Sequence, residues 1–471
     1  MYKRLISETI IYGIGAVLPR VITFLLNPFY FEHINVAEFA KFTNLYALIS
    51  FVNILLTFGF ETAFFRFAKD KNETQKVFNT SFWFLFFNAF VFILLILVLR
   101  EPIAQLLNYE ENPEYITWFG WIAFFDTLCV IPYAWLRFRN KAVAYSAIRV
   151  GQITIQTLAV MLLFLVIPYS VSASFGLNEK VAFPFFSNLI GSLAGILMLL
   201  PIGLKLKIQF DYGLFKKMFR FAYPIMIAGF AFMVNENFDK VVQRFIVSEV
   251  EAGAYGGCYK LAVLMTLFVT AYRMGVEPYL FKQMEANDAK IKYARITEYF
   301  SIVASIIALG IITNLSWLKN LIITDPDYLL AIDIVPVIVI SNLFFGIYYN
   351  LSTWYKVTDN TKIGSYISWA GAGITIILNL ALVPFLGFMV SAWATLVAYA
   401  VMMVISYIIG QKNYHIPYRK RKILFYLALV IIFSMISYLG FSQNLWVGNS
   451  LFFIFLSLIF FIEKQTIKNL L

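Results

Sequence analysis

Long apolar stretches alternate along the chain with short polar intervals. A membrane-spanning helix needs about 20 mostly apolar residues. Fourteen stretches meet that length, centred near Ile22, Val52, Phe90, Phe125, Val160, Ala194, Gly229, Thr266, Ala304, Ser341, Ile374, Ala400, Ile431 and Leu456. The intervals carry turn chemistry, as at Asn112-Pro113, Asp325-Pro326 and Pro384-Phe-Leu-Gly387, and none is long enough to fold as a separate soluble domain. The first stretch, Ile10 to Phe31, follows Lys3 and Arg4 but exceeds the apolar core of a signal peptide. It also contains Pro19 and Arg20 and ends at no small-x-small cleavage site, so it reads as a retained first span. The pattern predicts an all-α integral membrane protein with 14 transmembrane helices.

The charges give the orientation. With every second interval assigned to one side, the N-terminus, the intervals after spans 2, 4, 6, 8, 10 and 12 and the C-terminal tail hold 28 of the 37 Lys and Arg residues. The opposite intervals hold only Lys41, Arg100, Lys180 and Lys319, and five more lie inside spans. Basic residues collect on the cytoplasmic side, so both termini are expected there. The formal net charge of +11 is then a topological signature, and no nucleic-acid partner is expected. Only 13% of residues are charged and 61% are hydrophobic, against about 25% charged in soluble domains, which excludes a soluble enzyme. Cys129 and Cys258 both fall in apolar runs and offer neither a disulfide framework nor a metal-ligand spacing. No cofactor and no catalytic or metal site is expected.

The two halves repeat. Gly59-Phe-Glu61 with Phe65-Arg66 at the end of span 2 matches Gly275-Val-Glu277 with Phe281-Lys282 at the end of span 8, an offset of 216. Asn112-Pro113 matches Asp325-Pro326 at an offset of 213, and Pro168 and Pro384, each closing the fifth span of its half, are 216 apart. Six spans per repeat put both halves in the membrane in the same sense, related by an axis along the membrane normal. The expected organisation is a six-helix bundle over residues 1–204, a cytoplasmic amphipathic linker over 205–220, a second bundle over 221–411, and a basic loop with helices 13 and 14 over 412–471.

Four spans carry polar stripes. In span 8, Tyr255, Tyr259, Thr266, Thr270, Arg273 and Glu277 fall within roughly 60° of an end-on helical projection. In span 2, Thr43, Tyr46, Ser50, Asn53, Thr57 and Glu61 fall within roughly 80°. Span 1 has Thr9, Arg20, Thr23 and Asn27 on one face, and span 7 has Glu236, Asn237, Lys240, Gln243 and Arg244 on a wider one. One ionised side chain at the bilayer centre costs on the order of 2.5–3.5 kcal/mol, so stripes of this kind point to an aqueous cavity. Private pairing is the alternative, as between Glu236 and Lys240 at i,i+4. With Asp239 and Lys260 beside the stripes, bases exceed acids by one, which favours an anionic substrate. Asp126, Asp239 and Asp333 are candidates for ion coupling, with structural pairing as the alternative for Asp126 and Asp333.

The stretch Asn235 to Val263, with Asp239-Lys240, Gly253-Ala-Tyr255 and Tyr259-Lys260, resembles the polysaccharide-transporter branch of the multidrug/oligosaccharidyl-lipid/polysaccharide superfamily. A degraded copy, Ala37-Glu38-Phe39-Ala40-Lys41-Phe42, lies in the first half. The resemblance implies a flippase that moves undecaprenyl-pyrophosphate-linked oligosaccharide from the inner to the outer leaflet of a bacterial inner membrane by alternating access. It implies a cavity lined by spans 1, 2, 7 and 8, and Arg20 resembles a cavity arginine of related lipid II flippases. The implied substrate-binding residues are Arg20, Asn27, Asn53, Glu61, Glu236, Lys240, Arg244, Tyr255, Tyr259, Lys260, Arg273 and Glu277. Implied partners are the lipid-linked oligosaccharide, membrane lipids and polysaccharide-assembly proteins, with the chain itself a monomer.

Two other readings stay open. A multidrug and toxin extrusion transporter has the same layout and would move organic cations through an acidic cavity. A membrane-embedded glycan polymerase or ligase would need a larger outer loop than any interval here supplies.

Overall fold

A computed structural model describes residues 13, 15, 17–68, 73–174, 176–284, 286–358 and 360–468. Among these there is no strand, and thirteen helices are long and apolar enough to cross a membrane. The first expected span lies partly outside the described residues, as does Thr9; its described part is helical over residues 17–25 (α1). The others are α2 (Val36–Phe67), α3 (Thr74–Val98), α4 (Pro113–Phe138), α5 (Ala142–Leu165), α6 (Ala182–Gly203), α7 (Tyr212–Ile246), α8 (Glu249–Glu277), α9 (Ala289–Thr313), α10 (Ile334–Val357), α11 (Thr361–Leu386), α12 (Met389–Asn413), α13 (Lys420–Gly440) and α14 (Leu445–Lys464). At 1.5 Å per residue, a 25-residue helix reaches about 37 Å, enough to cross a hydrocarbon core of about 30 Å with some tilt.

Local chemistry sets where the helices start and break. Asn35 caps α2: its Oδ1 accepts from the Glu38 backbone N–H at 2.8 Å while its Nδ2 donates to Glu38 Oε1 at 2.6 Å. Asp211 caps α7 by accepting from the Leu214 N–H at 2.7 Å. Lys76 lies 2.6 Å from that carboxylate and, with the Leu214 N–H, holds its pKa below the usual range. Residues 212–220 of the expected linker therefore form the first turns of α7. Helix α2 breaks at Phe58 and Gly59, both left-handed at φ 52° and 70°. Asn88 of α3 donates to the carbonyl of Leu56 at 2.9 Å, satisfying backbone that the break releases.

The chain forms two compact units, residues 1–26 with 33–233 and residues 27–32 with 234–471; the boundary falls inside α7. Within each unit the fourth helix of the sequence repeat is the most enclosed: 78% of the spanning window of α4 is buried, and 83% of that of α10. The third helices differ, at 22% for α3 against 67% for α9, because α13 and α14 pack on α9. Lys422 of α13 pins this appendage, lying 2.6 Å from Glu298 of α9 and 2.5 Å from Glu463 of α14. Tyr426 adds a hydrogen bond to Glu463 at 2.8 Å.

Candidate functional site

A charged and aromatic network of the C-terminal unit spans α7, α8 and α12. Asp239 is buried and accepts from the Tyr255 hydroxyl at 2.6 Å. Lys240 Nζ lies 3.2 Å from Asp239 Oδ1, donates to the Glu236 carbonyl at 2.7 Å, and sits 3.7 Å from the centre of the Tyr259 ring. This ammonium thus has an anion, a carbonyl and an aromatic face, which together replace much of the water it would otherwise need. The Glu236 carboxylate accepts a hydrogen bond from Tyr399 of α12. Arg244, also buried, pairs with Glu249 at 3.2 Å where α8 begins. The i,i+4 partner that Lys240 finds is the backbone of Glu236, not its carboxylate.

Further along α8, a second group forms with the end of α10. Arg273 stands over the Tyr349 ring with its guanidinium carbon 4.3 Å from the ring centre, and Lys356 Nζ stands 4.0 Å from the same centre. Lys356 also pairs with Glu277 at 3.3 Å. Asn27 is buried in this unit, and Lys260 is half-buried. Asp333 accepts from Tyr438 at 2.5 Å at the edge of an apolar groove of about 550 Å³ lined by Val337, Ile340, Trp393 and Leu439 among others.

In the N-terminal unit, Glu61 follows the break in α2 and pairs with Arg137 at the end of α4. Arg137 and Arg149 both approach the Tyr145 ring, at 5.8 and 5.9 Å, and Arg149 also stands 4.0 Å over Tyr133. Asp126, one helical segment earlier on α4, feels the charge of Arg149. Asn53 is half-buried with Oδ1 unpartnered, and Arg20 is exposed on α1. Lys41, an isolated base in sequence, bridges Glu179 at 2.6 Å and Asn112 at 3.1 Å.

The structure therefore brings together Glu236, Asp239, Lys240, Tyr255 and Tyr259, and separately Arg273 and Glu277. It adds Tyr399, Tyr349, Lys356 and Arg137, which the stripes did not contain. The last two had a signal: each closes the fourth span of its repeat, 219 residues apart, beside glutamates 216 apart. Tyr399 had none, because its contact with Glu236 spans 163 positions.

A sequence profile described as "polysaccharide biosynthesis protein" matches residues 34–272. No curated protein sequence matches the chain significantly. Among solved structures, the lipid II flippase MurJ in an inward closed conformation is similar at 17% identity and TM-score 0.74, over 96% of this chain and 99% of that one. An inward-facing multidrug resistance MATE family transporter of the MOP superfamily is similar at 11% identity and TM-score 0.66, over 86% and 98%. The MATE transporter VcmN of Vibrio cholerae matches at 15% identity and TM-score 0.61, over 87% and 96%.

Proposed function

The chain belongs to the polysaccharide biosynthesis protein family, and on that premise we propose that it is a flippase for lipid-linked oligosaccharide. The substrate is an undecaprenyl-pyrophosphate-linked glycan, moved from the inner to the outer leaflet of a bacterial inner membrane. Both termini are cytoplasmic, and the six-helix repeats, 1–204 and 221–411, move as rigid bodies in alternating access. The observation that carries this reading is the set of charged side chains held within apolar helices of the C-terminal unit, with Lys240, Arg244 and Arg273 among them.

The physics fits an anionic head group. A pyrophosphate glycan cannot enter hydrocarbon unaided, while its lipid tail can remain there. Arginine suits bidentate contact with phosphate, and tyrosine and asparagine suit sugar hydroxyls. Outward movement of negative charge is downhill by about 2.3 kcal/mol per charge per 100 mV of inside-negative potential. Arg20, Lys240, Arg244, Lys260 and Arg273 serve as cationic contacts; Asn27, Asn53, Glu61, Glu236, Tyr255, Tyr259 and Glu277 complete the polar faces. Asp126, Asp239 and Asp333 are the acids through which an ion would couple.

Deletion of the gene tests the reading: a lipid-linked glycan should accumulate on the cytoplasmic face. Complementation with Arg273→Gln or Arg20→Gln should restore the protein to the membrane but not glycan export. Normal export by both variants removes these arginines from the site. Normal glycan assembly with altered resistance to cationic drugs would favour the MATE-type reading, whose fold is also similar.

A further inference from the structure

Helix α13 packs against α9, and α12 packs against α10, so α12 and α13 flank a seam with α10 as its floor. Two apolar pockets follow one another along it. The larger, the groove of about 550 Å³ that Asp333 borders, lies between the first turns of α10 and α12 and the last turns of α13. The smaller, of about 160 Å³, lies between later turns of α10 and α12 and the first turns of α13, with Lys420 at its border. Along α10 the larger groove runs from Asp333 to Phe344, about 16 Å at 1.5 Å per residue, close to half of a hydrocarbon core of about 30 Å. It is as deep as one leaflet.

Asp333 is the charged residue of the larger groove's lining. It is exposed, accepts from the Tyr438 hydroxyl, and meets no base within ion-pair distance among the described residues. Tyr438 belongs to the π-wound turn Ile436–Gly440 that closes α13, a winding frequent at functional sites. The rim is open to lipid, with Trp393 50% and Leu439 70% exposed. An acyl chain gains little by exchanging one apolar surrounding for another, since lipid tails are as apolar as leucine. Head-group contact therefore decides which lipid stays. A carboxylate attracts an ammonium and repels a phosphate. The basic border of the smaller pocket has the opposite preference, so the two ends of one seam differ in the head group they accept.

We infer that the larger groove holds an acyl chain of phosphatidylethanolamine, whose ammonium pairs with Asp333. The lipid wedges α13 against α10 and α12 at one end of the appendage. Lys422, paired with Glu298 and Glu463, ties the other end. A polyprenyl pyrophosphate has the wrong charge for this mouth, so the assignment does not rest on the flippase reading. The same carboxylate is a candidate for ion coupling, and the two uses separate by experiment.

The test uses the full-length protein in phosphatidylcholine vesicles doped with lipids brominated on the acyl chain, which quench nearby tryptophan. The quenching that disappears in Trp393→Phe reports the groove, because Trp393 lines it. Brominated phosphatidylethanolamine should quench this component at about one-fifth of the concentration that brominated phosphatidylcholine needs, the scale of one exposed charge pair. Brominated phosphatidylglycerol should need more than either. Asp333→Asn should bring the three lipids together, while Tyr438→Phe, which leaves the carboxylate in place, should keep the preference. Phosphatidylethanolamine should also raise the thermal unfolding midpoint of the unmutated protein and leave that of Asp333→Asn where it was. Equal quenching by the three lipids in the unmutated protein overturns the site, as does a preference that survives Asp333→Asn. Displacement of phosphatidylethanolamine by a polyprenyl pyrophosphate overturns it too, and makes the groove a seat for the substrate tail. An altered sodium or proton dependence of transport in Asp333→Asn, with the lipid preference intact, assigns the carboxylate to ion coupling instead. Loss of the preference in Asp333→Asn with no glycan translocation by the unmutated protein overturns the flippase reading and leaves the lipid site standing.

Discussion

Asp239 and Lys240 are neighbours in sequence, and their charged groups meet with only 4% and 11% of the side chains exposed. Removing one partner of such a pair strands the other charge, at about 3–5 kcal/mol. Lys240→Met should therefore lower the thermal unfolding midpoint of the purified protein markedly, and Asp239→Asn added to it should recover part of the loss. A double variant worse than the sum of the singles would show that each residue holds something else. At this scale the helical period placed the charges on their helices but gave no account of what enclosed them. The tyrosines show why: Tyr255 and Tyr259 lie on the same helix face as Arg273 and were visible as a stripe. Tyr399, which reaches Glu236 from α12, becomes visible only once the helices pack.

Equivalent glycines of the two repeats behave differently in their helices. Gly59 sits in the break of α2 at φ 70°, where an added Cβ would lie 3.1 Å from the Ala222 carbonyl oxygen. Gly275 lies within the unbroken α8 with open space at its Cβ position. Gly59→Ala should cost about 1–2 kcal/mol from the left-handed backbone alone. Gly275→Ala should be neutral or stabilising by up to about 1 kcal/mol through helix propensity. Thermal unfolding of the two variants checks this, and equal losses would mean that the break does not depend on Gly59. The sequence repeat revealed both glycines and their glutamates, because identity at a fixed spacing needs no structure. It did not reveal the break, since Phe58 shares the left-handed conformation and the carbonyl at 56 is satisfied from another helix by Asn88. The angular reckoning that put Glu61 on the face of Asn53 assumed one continuous winding, which the break interrupts.

Across the described residues, apolar run lengths and turn residues were enough to read a helical membrane protein, and the starts of α2 and α7 follow from the Asn35 and Asp211 caps. The contrast between α3 and α9, by comparison, is tertiary: the two occupy the same place in the repeat, but α13 and α14 cover only α9, through the Lys422 cluster. The apolar faces left on α3, such as Phe87, Leu94 and Leu95, are what a helix facing lipid should show. What the molecule moves can be read with purified protein in sealed proteoliposomes carrying a polyprenyl-pyrophosphate oligosaccharide. A membrane-impermeant glycosidase added outside reads how much of the initially protected glycan becomes accessible. Accessibility should rise with the amount of protein, be accelerated by a potential negative on the side from which the glycan leaves, and be lost in Arg273→Gln. Folded protein that leaves the protected glycan untouched while moving an organic cation across the same bilayer would contradict the flippase reading.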